Sequence, residues 1–304
     1  MTEIATQQTI TDPCFGATHV GRTFRRIDPD VPASRAIDFD AKFLPDSLSR
    51  VHDIDFLNDV ERKLLSQVQG RTCVNMLRLL DFVIDNRMSD LRGAHPGGAT
   101  AMRHRREFRR IDDLVAAGMP VGYEFAADGR NIATAVLSCS DWAGLGFSFH
   151  TELATQAHYQ QSIFWDPELS GAFKDAFRLH RREELRHTII DGIEWARADA
   201  LIDPAVRDRA IGEIIALLTA LDHTLQLQAD ADVNYFLAIN SRAIGAARRE
   251  RVLATVLAAY RWQYIGMGLK VPRFINTLRN FVSAGQFECF KQAAHSLVDR
   301  PVLH

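Results

Sequence analysis

An all-α fold, a helical bundle with additional helices, is what this sequence predicts. Apolar residues recur at helical spacing from Asp55 onward. No run alternates as a strand would, and no internal repeat stands out. The segment between Pro167 and Pro204 holds no proline to break a long helix. With 304 residues, 47% of them apolar and 24% charged, the chain can build one large domain of ordinary globular character.

Residues 1–50 are rich in Thr, Asp and Pro without a sustained period and read as an irregular arm. The helical domain is expected over 51–304. Its first helix starts near Asp55, capped by Asp53 or Asp55. It carries Leu57, Val60, Leu64, Leu65 and Val68 at helical spacing and runs to about Asp85 across Gly70. His95-Pro-Gly-Gly98 is a break, and a basic helix follows over about 100–117. An apolar helix is expected from Asn131 to Ile163. The turn at 166–170 precedes a helix that contains His180. Asp203-Pro204 caps and opens the next, to about Leu237. Two more helices are expected, over about 247–269 and 272–298.

The formal net charge of −2 gives no reason to expect nucleic acid or an anionic membrane as partner. The apolar stretch 132–149 nears membrane-spanning length, but Asp141 and several Ser and Gly interrupt it, so a buried core helix is expected. Cys14, Cys73, Cys139 and Cys289 show no C-x-x-C spacing, against a zinc ribbon, an iron–sulfur site or a disulfide framework. The polar start carries no signal pattern, and a reducing cytoplasm is the expected compartment.

The chemistry-bearing stretch is His180-Arg-Arg-Glu-Glu-Leu-Arg-His187. Residues three and four apart share a helix face, so His180, Glu184 and His187 point the same way, behind Phe173 and Phe177. A carboxylate between two imidazoles on a buried face calls for neutralisation, which a metal ion provides. The competing reading pairs Glu183 or Glu184 with Arg181, Arg182 or Arg186.

Glu61, with Leu57, Leu64, Leu65 and Val68 around it, is a candidate core carboxylate; otherwise it is a boundary residue paired with Arg62 or Lys63. Glu152 follows the most apolar run and is expensive to bury unless ligated; otherwise the helix emerges into solvent near His150. His158 lies off the Glu152 face and reads as structural or as a support for the ligands. His104 sits among arginines, where a solvated face is the plainer reading. A carboxylate-rich, imidazole-supplemented, thiol-free set suits non-haem iron or manganese better than structural zinc. Bundles that hold two such metals combine single glutamates with Glu-x-x-His pairs, and Glu184-Leu-Arg-His187 is one such pair.

Two stretches, His150-Thr-Glu-Leu-Ala-Thr-Gln-Ala-His-Tyr159 and Phe177-Arg-Leu-His-Arg-Arg-Glu-Glu-Leu-Arg-His187, resemble the bacterial ferritin-like di-iron proteins, and most the arylamine N-oxygenase branch. The resemblance covers about 56–199 and is most specific in His-x-x-x-Glu-x-x-His. It implies a ferritin-like bundle with metal ligands at Glu61, Glu152, His180, Glu184 and His187, plus a Glu-x-x-His on the second helix. With His104 in that histidine's place, Ala101 falls where the glutamate belongs; Glu107 is the nearby carboxylate that would compensate, though its plainer reading is a surface partner of the nearby arginines.

The function expected is a non-haem oxygenase acting on a small-molecule substrate with O₂. It would hold two iron ions, or one with a weaker second site, with manganese as the other metal. Asp191 would orient His187. A homodimer is compatible with the sequence. The rival readings are a ferritin-like binding or structural protein with a degraded metal site, and a plain helical scaffold.

Overall fold

The computed structural model describes residues 35–92, 98–127 and 129–300. Their regular structure is helical, with no strand among them beyond an isolated bridge between Lys42 and Leu169. Most of the expected arm lies outside the described residues. Its last part is ordered by burial: Phe43 and Leu44 are fully buried, and α1 (Asp46–Ser49) follows.

The long helix α2 runs Asp59–Arg92. It begins later than expected because Asn58, not Asp53 or Asp55, caps it. Asn58 Oδ1 accepts from the Glu61 amide, and Glu61 Oε2 accepts from the Asn58 amide, both at 3.0 Å. Gly70 is required where it stands: a Cβ there would meet the Phe43 Cβ at 2.4 Å, so the arm crosses α2 at this glycine.

Helix α3 (Gly98–Gly118) lies along α2. The apolar run expected as one helix is two, α4 (Gly129–Ser138) and α5 (Asp141–His158). Ser140 separates them, its hydroxyl capping the Ala143 amide. A π turn, Tyr159–Ile163, extends α5. Helix α6 (Gly171–Asp199) packs along α5 and touches α3. Helices α2, α3, α6 and α5 thus close a four-helix ring.

Helix α7 (Pro204–Ile239), capped by Asp203 as expected, backs this ring with α8 (Ala246–Arg261). By length and composition α7 passes for a membrane span, but half of that window is buried against the protein. A π turn at Trp262–Gly266 and the short α9 (Met267–Lys270) continue α8. The last expected helix is two, α10 (Pro272–Phe281) and α11 (Ala284–Val298), because Ser283 and Gln286 form a capping box between them.

Candidate metal centre

The site is built from α6 outward. His180 and Glu184 are buried, and His187 is partly exposed one turn on. Glu184 Oε1 lies 3.5 Å from His180 Nε2 and 3.3 Å from His187 Nδ1, so one carboxylate oxygen stands between two imidazoles. No arginine pairs with Glu184 among the described residues. Phe173 and Phe177 are buried on the same helix, and the Phe108 ring from α3 lies 5.1 Å from the His180 ring.

Glu152 from α5 completes one side, its Oε1 3.9 Å from His187 Nδ1. It is 5% exposed, so α5 does not emerge into solvent there. Its other oxygen, Oε2, is buried without a hydrogen-bond partner among the described residues. Burial first, then the neighbouring Asp191 and Glu184 carboxylates, push Glu152 well above the usual carboxylate range. Asp191 accepts a very short hydrogen bond from Ser148, which also reaches Glu152 Oε1 at 3.4 Å. The Ser148 bond ties Asp191 to α5.

The other side is closed by a residue the sequence reading passed over. Asp81 from α2 places Oδ1 3.4 Å from His180 Nε2. Two groups of metal-ligand type result, Asp81/His180/Glu184 and Glu152/Glu184/His187, each with its donor atoms within 4.8 Å of one another. Glu184 belongs to both. Around them is a cavity of about 10 Å³, walled by Leu77, Leu80 and Ile84 and edged by Asp85, Thr151 and Thr155.

Glu61 is not part of this site. It lies on the same helix as Asp81 but ~30 Å away by the helical rise. Its carboxylate is held by Arg242, at 2.6 and 2.7 Å, and by Asn240 at 3.1 Å. The Arg242 guanidinium, with the Asn58 and Asn240 bonds, brings it down to about 2 against the cost of burial. Its sequence environment was read correctly as buried, but the burial serves the helix start. The side chains of Ala101 and His104 lie outside those described. Glu107 pairs with Arg110 at 2.9 Å, the plain reading of that residue. His158 is buried and lines a small cavity behind His180, with burial lowering it to about 4.

Three carboxylates and two imidazoles, one carboxylate shared, form a donor set that fits two hard or borderline divalent cations. A cation bound there would satisfy Glu152 Oε2, which has no hydrogen-bond partner among the described residues. Compared with known protein families, with curated proteins and with solved structures, the chain gives no match.

Proposed function

We propose that this protein is a non-haem di-iron oxygenase of ferritin-like architecture, acting with O₂ on a small molecule. The observation that carries the reading is Glu184 shared between two triads inside a four-helix ring. Asp81 and His180 would hold one metal, Glu152 and His187 the other, with Glu184 between them. Iron bound there would supply the electrons for reducing O₂. The chain's own contribution is placement. The apolar wall of Leu77, Leu80 and Ile84 keeps bulk water away, and Ser148 fixes the Glu152 and Asp191 carboxylates relative to each other. Their mutual repulsion and burial are relieved when cations bind.

The sequence offers a rival observation in Ala101, where the resemblance expects a bridging glutamate. A binding or structural protein with a degraded site is the reading it favours. O₂ consumption decides between them. Protein loaded anaerobically with Fe(II) should consume O₂ faster than the same concentration of free Fe(II), and the Glu184→Ala variant should not. Consumption no faster than that of free Fe(II) contradicts the oxygenase.

A further inference from the structure

The metal cavity, at about 10 Å³, has no room for an organic substrate. A second hollow, of about 430 Å³, lies on the other side of α2. Along α2, Leu77, Leu80, Asp81 and Ile84 face the metal cavity, while Asn75, Arg78, Leu79 and Phe82 line the hollow. From α3 come Arg105, Arg106 and Arg109, the last two one turn or less from the first. Arg78, Arg106 and Arg109 make no ion pair among the described residues, although the whole chain is net negative at −2. Arg105 reaches Asp85 at 3.5 Å, and Asp85 also edges the metal cavity. The floor is apolar, with Phe82 half exposed. Asn75 is 2% exposed, and its Oδ1 is buried with no hydrogen-bond partner among the described residues.

We propose that this hollow is a binding site for a phosphate-class dianion carrying an aromatic or other apolar body, on the face of α2 turned away from the metal centre. Three guanidiniums without an acid partner among the described residues match a dianion better than a single carboxylate, and arginine binds phosphate through paired N–H bonds. Phe82 and Leu79 receive the apolar body. Asn75 Oδ1 accepts a hydrogen bond from a hydroxyl or amine on it. The Arg105–Asp85 pair joins the rim of the hollow to the edge of the metal cavity. The binding site does not rest on the oxygenase reading.

Phenyl phosphate is the probe, titrated calorimetrically into full-length protein, both metal-loaded and chelator-treated, beside inorganic phosphate and benzoate. Phenyl phosphate should bind saturably and tighter than either comparison ligand. The Arg78→Gln/Arg109→Gln double variant should weaken it at least tenfold while metal content stays unchanged. Neither arginine is buried, and circular dichroism checks that the variant folds. Equal affinity in the variant overturns the site, as does binding that disappears with the metals, since phosphate would then sit on the metals themselves. Binding that persists in the chelator-treated protein supports a site separate from the metals. A protein that holds two metals but ignores phenyl phosphate contradicts the hollow alone.

Discussion

Asp81 on α2 and His180 on α6 stand 99 residues apart in the chain, yet Asp81 Oδ1 lies 3.4 Å from His180 Nε2. That contact brings a third helix into the site and defines the half of it that Glu152 does not reach. Asp81→Ala should therefore lower bound metal from about two ions per chain to about one, as expected for loss of one member of a dinuclear site. Unchanged metal content in the variant would remove Asp81 from the ligand set.

Glu61→Ala should leave metal content untouched and instead destabilise the fold by about 1 kcal/mol or more, the scale of a lost helix cap. The Arg242 bonds depress Glu61 to about 2 from 4.5. Its stabilising contribution is thus complete above about pH 4.5 and is lost as pH falls toward 2. Acid unfolding curves of the native protein and variant should converge at the acid end. Loss of metal in Glu61→Ala would contradict the assignment.

Ser148 holds two buried carboxylates, donating to Asp191 and reaching Glu152. Residues that orient metal ligands typically matter about 10- to 100-fold for metal affinity. Ser148→Ala should weaken metal binding on that scale with little change in helicity. An affinity equal to that of the native protein would show that the Ser148 bridge is only packing.

Asp232 is buried among Thr72, Gln228 and Tyr260, which donate hydrogen bonds to it. Burial outweighs those bonds and lifts it to about 7 from 3.8. Between those values the unfolded chain has released the proton that the folded chain keeps, so stability falls as pH rises from about 4 to 7. Asp232→Asn should flatten that fall, by an amount on the order of 1 kcal/mol or more. Denaturation midpoints across this range check it, and an unchanged slope would contradict the assignment.

The trio His180, Glu184 and His187 was legible because one helix carries it, and helical spacing alone puts three residues on one face. Glu152 was legible because a carboxylate after an apolar run is costly to bury. Asp81 was missed for a physical reason. It has the same local environment as Glu61, with apolar residues three and four positions away, and spacing on a single helix cannot say which carboxylate meets α6. The discriminating signal was Asn58-Asp-Val-Glu61, a capping-box spacing that marks a helix start. The breaks at Ser140 and Ser283 escaped notice in the same way, since each is a single serine cap inside an otherwise continuous apolar pattern. The all-α class survived these errors because it depends on periodicity and not on boundaries.

The shared position of Glu184 is tested most directly by metal stoichiometry. Protein purified without added metal, and again after anaerobic Fe(II) reconstitution, is assayed by elemental mass spectrometry beside Glu184→Ala. The native chain should hold about two iron ions, as in bundles of this donor type. The variant should hold none while remaining helical. A native protein that takes up no metal on reconstitution, or a variant that retains both ions, would contradict the dinuclear centre.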